Sequence, residues 1–377
     1  MSNLILDSLE IRNFRGFEHL QIERLGRVNL IVGKNNVGKT SLLEALQLYA
    51  RRGDPALIWE MLDIRDEGIY PPADRLSVSS VTNIEEQLAS LRYLFFGREA
   101  RNEYLDHIRI GSLDDTNELL SIAVRWYIAR EDESGIRKLQ LLQPGEYTVA
   151  DNPVLRFAIR IGVQSERFVS LAPSRYIGSD VPEITCIFRR ADGTSKEQIA
   201  KLWDNIALTE LEKDILSALR IIAPGAKGLN LRGDPRPSRT QNRQRERFPI
   251  IRVGGFDEPI PLRSLGDGMM RTLATVLALV NAKDGILLID EFENGIHYSV
   301  LPELWQMIFQ VARRLNIQVF ATTHSWDCIE SFQKVAAENK QEEGLLMRLS
   351  LKGNDIVATI FDENELGIIT RERIEVR

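Results

Sequence analysis

Residues 31 to 41 read Ile-Val-Gly-Lys-Asn-Asn-Val-Gly-Lys-Thr-Ser and contain a complete phosphate-binding pattern, G-x-x-x-x-G-K-[ST]. In such a loop, successive backbone N–H groups point at the phosphates, the lysine reaches the terminal phosphates, and the threonine hydroxyl ligates Mg²⁺. The pattern predicts a bound nucleoside triphosphate, with Lys39 also acting in catalysis and Thr40 as a metal ligand. The residues expected around the phosphates are Gly33, Lys34, Asn35, Asn36, Val37, Gly38, Lys39, Thr40 and Ser41.

A second pattern, GILLIDEFENGIH at residues 285 to 297, places two carboxylates at the end of an apolar run. The run resembles a strand that is buried on both faces, and its carboxyl end is where ligands bind in open α/β sheets. We expect Asp290 to hold Mg²⁺ through water and Glu291 to polarise the attacking water. Alone, the stretch also fits a solvated acidic turn. Together with the phosphate loop, it predicts ATP hydrolysis.

The sequence on either side of the phosphate loop has the pattern of the elements that would position it. Residues 28 to 32 form a short apolar run that is typical of a buried strand, and residues 41 to 50 have helical periodicity. The loop is therefore expected at a helix N-terminus, which favours anions.

Length and composition indicate one globular protein with an insertion. The chain has 377 residues, of which 44% are hydrophobic and 27% charged, and its net charge is −6. No apolar run approaches the roughly 18 to 20 residues that span a membrane, and the charged first 20 residues do not resemble a secretory segment. With only two cysteines, Cys186 and Cys328, a disulfide framework is not expected. We expect a cytoplasmic protein without membrane contact.

The chain between the two patterns predicts several lobes. Residues 54 to 67 and 84 to 96 are expected to be helices, and residues 107 to 163 to form antiparallel strands. The predicted organisation is one head over residues 1 to 377, with a nucleotide-binding core (1–50 and 250–377), a helical and β insert (51–165), a helical lobe (195–225) and a flexible basic loop (227–250).

The predicted basic loop concentrates positive charge in an acidic chain. Residues 227 to 252 are rich in Pro, Gly, Asn and Gln, a composition typical of flexible segments. Such a run can bind nucleic-acid phosphates without reading sequence, or it can be a solvated loop. Both interpretations stay open. Its cationic residues are Lys227, Arg232, Arg236, Arg239, Arg243, Arg245, Arg247 and Arg252.

Three further stretches resemble ABC-type ATPases. Ser264, Gly266 and Gly268 lie in SLGDG, which is similar to the signature loop that precedes the acidic strand in these proteins. His324 follows the apolar IQVFATT at the position of their switch histidine. The opening LDSLEIRNFRGF looks like the start of the SMC and RecF group. The resemblance also extends to the overcoming-lysogenization-defect type. It is closest to the stand-alone AAA-family ATPases of prokaryotic anti-phage systems, over residues 3 to 50 and 260 to 332.

The resemblance implies an α/β P-loop NTPase of the ABC-ATPase head type, with a mixed central sheet, an antiparallel β subdomain and a helical lobe. No sustained heptads occur, so a coiled-coil arm is not expected. By the same resemblance, ATP and Mg²⁺ are the cofactors, Arg15 reaches the nucleotide, His324 contacts the γ-phosphate, and Ser264, Gly266 and Gly268 complete the site of the other subunit in a homodimer.

The implied function is control of a separate effector, a nuclease or toxin, in anti-phage defence. One alternative is a RecF-like repair ATPase that acts on DNA directly, through the basic loop 227–252. A transporter subunit is a weaker alternative, because transporter subunits do not begin with NFRGF.

Overall fold

Sixteen strands and seven α-helices occur in the part of the chain that the computed structural model describes. That part comprises residues 4–68, 88–98, 105–131, 137–142, 154–171, 183–233, 246–338, 344–361, 365 and 367. The strands are β1 (Leu9–Phe14), β2 (Phe17–Ile22), β3 (Val28–Val32), β4 (Leu105–Gly111), β5 (Leu120–Glu131), β6 (Arg137–Leu141), β7 (Val154–Ile161), β8 (Arg167–Ser170), β9 (Cys186–Arg189), β10 (Ala226–Gly233), β11 (Arg247–Val253), β12 (Ile260–Pro261), β13 (Ile286–Ile289), β14 (Gln318–Thr322), β15 (Gly344–Lys352) and β16 (Asp355–Phe361). The helices are α1 (Lys39–Ala50), α2 (Pro55–Ile64), α3 (Lys196–Asp204), α4 (Glu212–Ile222), α5 (Asp267–Asn281), α6 (Leu301–Arg314) and α7 (Trp326–Glu338).

A six-stranded mixed sheet forms the centre, in the order β16-β15-β3-β14-β13-β9. Five of its strands are parallel, and only β16 is antiparallel, to β15. The apolar runs of β3, β13 and β14 are buried along their whole length, as expected for strands covered on both faces. The mixed central sheet predicted from the sequence is confirmed.

Alternate residues of the central strands supply two hydrophobic cores. Ile31 and Leu288 face a core shared with α1 and the antiparallel sheet. Leu30 and Leu287 face a second core on the opposite side, which is shared with α5, α6 and α7. In that second core Trp305 stacks on Phe292, with ring centroids 4.0 Å apart, directly behind the acidic end of β13.

The antiparallel β subdomain is a seven-stranded sheet in the order β2-β1-β4-β5-β7-β8, with β6 also paired to β5. One face of this sheet packs on the core that contains α1, because alternate apolar residues such as Ile11, Ile110 and Ile122 point inward. Helix α2 follows α1 and begins at Pro55, and the side chain of the preceding Asp54 accepts a hydrogen bond from the backbone N–H of Ala56.

The predicted basic loop is partly regular structure. Residues at both of its ends form β10 and β11, which pair from Ala226 with Val253 to Gly233 with Arg247. The strands were not predicted because the middle of the loop is polar, although apolar residues alternate with polar ones at its two ends. There Leu229 and Leu231 lie opposite Ile251 and Pro249. Four arginines of the loop, Arg236, Arg239, Arg243 and Arg245, lie outside the described residues.

The helix predicted over residues 84 to 96 is confirmed for residues 88 to 91 and is wrong from residue 92 onwards. The segment has two short 3₁₀ turns, Arg92–Leu94 and Phe96–Arg98, separated by Phe95 in extended conformation. Gly97 and Arg98 have φ of 72° and 54°, a left-handed turn that stops helical propagation. Among the helices that the structure describes, none has the length and apolarity needed to cross a bilayer.

Candidate functional site

A cavity of about 700 Å³ lies beside the carboxyl ends of β3, β13 and β14. Parallel strands end at one edge of the sheet, so the residues that follow them converge there, although they are far apart in sequence. Most of the residues predicted from the sequence meet in this cavity. The lining residues are Arg15, Gly16, Asn35, Asn36, Gly38, Lys39, Thr40, Ser41, Arg65, Glu67, Tyr93, Gly97, Arg98, Asp290, Glu291, His324 and Ile356.

The phosphate loop needs its two glycines for conformation and space. Gly33 has φ of 145°, and a Cβ there would lie 2.5 Å from the carbonyl oxygen of Leu349 and 2.9 Å from Val37. Gly38 has φ of 95°, and a Cβ would lie 3.0 Å from the ring of Phe17. Both positions therefore favour glycine, and the loop leads into α1 with its backbone N–H groups free to meet an anion.

Lys39 is largely buried at the start of α1, and its ammonium group is held by the loop itself. Its Nζ donates hydrogen bonds to the carbonyl oxygens of Gly33, at 2.8 Å, and Lys34, at 2.9 Å. Burial lowers the pKa of Lys39, while Asp290 and Glu291 oppose that shift. The ammonium therefore lies beside the loop, where a bound phosphate would be a stronger hydrogen-bond acceptor than these two carbonyl oxygens.

Thr40 and Asp290 bring two hard oxygen ligands together at the cavity edge. The Thr40 hydroxyl donates to Asp290 Oδ2 at 3.0 Å, and the buried Thr322 hydroxyl donates to Asp290 Oδ1 at 2.6 Å. A hydroxyl and one carboxylate are the protein ligands typical of Mg²⁺ that also binds substrate phosphates, so the residues fit that ion. No cluster of three or more His, Cys, Asp or Glu able to hold a metal occurs in the described ranges.

Glu291 and His324 both line the cavity, and their loops are fixed by nearby side chains. The backbone N–H of Glu291 donates to Thr322 Oγ1 at 2.9 Å, and Glu291 has a left-handed φ of 49°. Glu293 accepts from the His324 backbone N–H at 2.9 Å and from Thr323 Oγ1 at 2.7 Å. Burial, followed by the charge of Lys39, lowers the pKa of His324, so its ring is neutral at pH 7.

Arg15 lines the cavity, but two carboxylates already compensate its charge. Its Nε lies 2.7 Å from Glu44 Oε2, and its Nη1 lies 2.8 Å from Glu67 Oε2. Arg65 also binds Glu44, through Nε and Nη2 at 3.0 Å each. Glu44 is almost fully buried on α1. Glu44 is the only charged residue in the stretch SLLEALQLYA, and this was the one sequence signal for the network.

Sequence reasoning also missed an aromatic wall of the cavity. Tyr93 and Arg98 line it from the 3₁₀ segment, and the Arg98 guanidinium lies 5.0 Å from the centre of the Tyr93 ring. This segment is anchored to the β1–β2 turn: the Arg15 N–H donates to the Leu94 carbonyl at 2.8 Å, and Asn13 Oδ1 accepts from the Phe96 N–H at 3.2 Å. Interpreting the segment as a plain packing helix concealed this role.

Six of the predicted site residues do not line the cavity: Gly33, Lys34 and Val37 of the phosphate loop itself, and Ser264, Gly266 and Gly268 of the SLGDG turn. Ser264 and Gly266 are exposed in the turn before α5, and Gly268 is half-buried at its start. None of the three lines the cavity that holds Lys39. The SLGDG turn nevertheless packs closely against the segment that follows Glu291, because a Cβ on Gly268 would lie 3.3 Å from the Gly295 carbonyl oxygen.

The phosphate loop, the acidic strand end and the parallel central sheet together define a P-loop ATPase. Comparison with protein families makes the assignment more specific. The chain belongs to the family described as "AAA domain, putative AbiEii toxin, Type IV TA system", which matches residues 28–327. Nucleotide binding and ATP hydrolysis follow from this membership together with the phosphate loop.

Several known proteins are similar to this chain. A protein of Helicobacter pylori named ATP/GTP phosphatase is 25% identical over 351 residues, which cover 89% of each chain. RecF, the DNA replication and repair protein of Listeria monocytogenes, is 36% identical over 70 residues, which cover 17% of this chain and 19% of RecF. Among solved structures, the Smc head domain from Pyrococcus furiosus, bound to the C-terminal domain of ScpA, aligns with a TM-score of 0.48 at 10% identity, over 98% of this chain and 99% of that one.

Proposed function

We propose that this ATPase closes around ATP as a head-to-tail dimer and passes its nucleotide state to a separate effector in anti-phage defence. One observation carries the proposal. The SLGDG turn is exposed and lies outside the cavity that contains the phosphate loop of the same chain. A turn of this kind can act on ATP only when a second copy supplies the nucleotide.

The geometry of the SLGDG turn suits contact with a phosphate across an interface. Gly266 has φ of 101°, and no atom lies within 4 Å of where its Cβ would be, so its backbone is open to an approaching group. The turn opens the 15-residue helix α5, whose N-terminal end favours anions. In a two-fold dimer each subunit would present this turn to the other, which creates two equivalent composite sites.

Each cavity residue then has a defined role in the proposed reaction. Lys39 and the loop N–H groups bind the β- and γ-phosphates, and Thr40 and Asp290 would hold Mg²⁺. Glu291 orients the attacking water, and His324 contacts the γ-phosphate. Phosphoryl transfer depends mainly on such positioning and charge compensation, which a closed dimer would complete.

The effector part of the proposal is supported by the family description, which refers to toxins and toxin–antitoxin systems. We place the nuclease or toxin activity on a separate effector, while the cavity of this chain serves the nucleotide. The alternative of a RecF-like repair ATPase is supported by the 70-residue match to RecF. The two differ in whether DNA alone stimulates hydrolysis, as expected for the repair ATPase.

A mixed-mutant assay tests the composite site. Lys39→Ala removes the phosphate-binding ammonium, and Ser264→Arg places a bulky cation on the exposed turn without changing the glycine at φ 101°. Each variant alone is expected to be inactive. In a one-to-one mixture, half of the dimers are mixed and each has one intact site, so about a quarter of the wild-type sites return. Ser264→Ala is the matched control and should stay active.

The result contradicts the proposal if Ser264→Arg remains fully active, since the turn would then be irrelevant to hydrolysis. Persistent inactivity of the mixture, despite mixed dimers detected by native mass spectrometry, argues against two independent composite sites. Binding of ATP by the Ser264→Arg variant alone must match the wild type, because the altered residue lies outside its own cavity.

A further inference from the structure

The outer face of the antiparallel sheet carries five arginines in register. Arg12 of β1 pairs directly with Arg109 of β4, Arg109 pairs with Ser121 of β5, and Ser121 pairs with Arg160 of β7. These residues form one row across four strands. We call Arg12, Arg109, Arg125, Arg156 and Arg160 the arginine face.

A second row runs beside the first. Arg125 of β5 pairs directly with Arg156 of β7, which pairs in turn with Ser170 of β8. On all of these strands the inward residues, such as Ile110, Ile122 and Ile159, are buried in the core. The arginines therefore point to the side of the sheet that is opposite α1, because side chains alternate along a strand.

Four of the five arginines on this face have no carboxylate partner among the described residues. Arg12 forms an ion pair with Glu10, at 2.8 Å. Within the described ranges, no carboxylate lies within ion-pair distance of Arg109, Arg125, Arg156 or Arg160, in a chain whose net charge is −6. Like charges directly opposite each other destabilise a sheet. Two such pairs, Arg12–Arg109 and Arg125–Arg156, indicate that the surface has a use beyond folding.

His107 lies beside the arginine face, and the charges around it are also mainly positive. Its Nδ1 bonds to Ser121 Oγ at 2.8 Å, and its Nε2 contacts the Arg125 guanidinium. Burial lowers the pKa of His107, and Arg125 adds to that shift, whereas Glu166 opposes it. Glu166, in the turn between β7 and β8, is the acidic group that faces this cluster.

The dimensions of the arginine face match those of a nucleic-acid backbone. Neighbouring strands lie about 4.8 Å apart and residues rise about 3.4 Å along a strand, so Arg109 and Arg160 are about 10 Å apart and Arg156 and Arg160 about 14 Å. A DNA duplex presents one negative charge per about 1.7 Å of its axis, which gives about eight phosphates over 14 Å. Arginine is well suited to phosphate because its guanidinium can donate two parallel hydrogen bonds.

We propose that the arginine face binds the phosphate backbone of nucleic acid, in a sequence-independent manner. This surface is separate from the ATP cavity, since none of its arginines lines that cavity, and it lies on a different sheet from β10 and β11. It goes beyond the proposed effector function and does not depend on the dimer.

The test is fluorescence-anisotropy titration of a duplex DNA at several salt concentrations. The main variant is Arg109→Gln with Arg160→Gln, because both residues are exposed and their replacement should leave the sheet intact. Each lost phosphate contact flattens the slope of log affinity against log salt by about 0.9, so the double variant should lose about 2 units of slope. ATP turnover without DNA should stay unchanged.

Three controls make the outcome specific. The same positions changed to Lys keep the charge and should largely keep the salt slope, which separates charge from packing. Arg24→Gln with Lys283→Gln removes two exposed cations elsewhere and should leave DNA binding unaltered. The third control replaces the four arginines of the basic loop that lie outside the described residues by Gln.

Several results would overturn the proposal. One is failure of the wild type to bind duplex DNA at low salt, and another is a wild-type salt slope in the Arg109 and Arg160 variant. In a third such result, only the loop variant, and not the Arg109 and Arg160 variant, loses DNA binding. Tight binding of polyglutamate without DNA binding would also overturn it, since the face would then serve an acidic protein. Circular dichroism of the Gln variant confirms that the fold is retained.

Discussion

Thr322→Val removes a single hydroxyl that organises both carboxylates at the end of β13. Thr322 is fully buried; its Oγ1 donates to Asp290 Oδ1 at 2.6 Å and accepts from the Glu291 backbone N–H at 2.9 Å. Valine has nearly the same shape, so the substitution deletes the two hydrogen bonds and little packing. The affected residues are those that we assign to Mg²⁺ and to water activation.

The expected loss of stability follows from these two bonds. A hydrogen bond to a charged group contributes about 1.5 to 3 kcal/mol, and a buried donor left without a partner costs about 1 to 3 kcal/mol. Because the two effects share one hydroxyl, we expect a total of about 3 kcal/mol. Thr322→Ser is the matched control, since it keeps the hydroxyl and loses one methyl group, at about 1 kcal/mol.

Catalysis should suffer more than nucleotide binding. Without Thr322, Asp290 and the Glu291 backbone lose a fixed position, and small displacements of catalytic groups cost up to about 10²-fold in rate. We expect turnover of Thr322→Val to fall at least tenfold, while ATP affinity, which rests on Lys39 and the loop, changes by less than threefold.

Urea unfolding, steady-state ATPase kinetics and hydrogen exchange measure these effects on the wild type and both variants. The Glu291 amide should exchange faster in Thr322→Val, because its acceptor is gone, and remain protected in Thr322→Ser. Equal stability and equal turnover of the valine and serine variants, with unaltered Glu291 exchange, would refute the assignment of Thr322 as the residue that positions this edge.

Three further changes probe the same cavity. Glu291→Gln should retain ATP binding and lower turnover by about 10² to 10⁴, measured by phosphate release, and turnover within threefold of the wild type would exclude Glu291 as the catalytic carboxylate. Tyr93→Ala should lower the affinity for ATP about tenfold, because the base loses its stacking partner, and should leave the affinity for tripolyphosphate unchanged. Tyr93→Phe should bind ATP normally. Equal losses of affinity for ATP and tripolyphosphate would show that Tyr93 does not contact the base. In an NMR titration without nucleotide, His324 should titrate below the usual histidine pKa of about 6.5. Lys39→Ala should raise the pKa of His324, because the variant removes a nearby positive charge. An unchanged midpoint in that variant would contradict this cause.

The sequence was sufficient where local pattern and chemistry coincide. Gly33, Lys39 and Thr40 have fixed spacing because a loop that encloses phosphates admits few conformations. In the structure, Lys39 and Thr40 line one cavity, and the Gly33 carbonyl accepts a hydrogen bond from Lys39. Buried strands such as Ile286–Ile289 were also predictable, since a strand covered on both faces must be apolar throughout. The SLGDG turn and His324 needed the family resemblance, because neither has a distinctive local pattern.

Long-range pairings could not be predicted from single segments. The ion pairs of Arg15 with Glu44 and Glu67 join residues from the β1–β2 turn, α1 and the segment after α2. No periodic pattern in the sequence indicates that these residues are in contact. Strand β9 was overlooked because its four residues, Cys186–Arg189, are mostly half-buried and end in an arginine, unlike the fully apolar Ile286–Ile289. It nevertheless forms the edge of the central sheet beside β13. The arginine face is likewise a property of register, since its residues are spread over strands that are distant in sequence.

Closure of two heads around ATP is the central claim, and the mass of the Glu291→Gln variant in solution tests it most directly. With hydrolysis blocked, analytical ultracentrifugation in Mg²⁺ and ATP should show a dimer, and in ADP or without nucleotide a monomer. The added change Ser264→Arg should prevent this dimer, because the exposed turn would face the partner's nucleotide. A Glu291→Gln protein that binds ATP at full occupancy and stays monomeric at concentrations well above those of the ATPase assay would contradict the account.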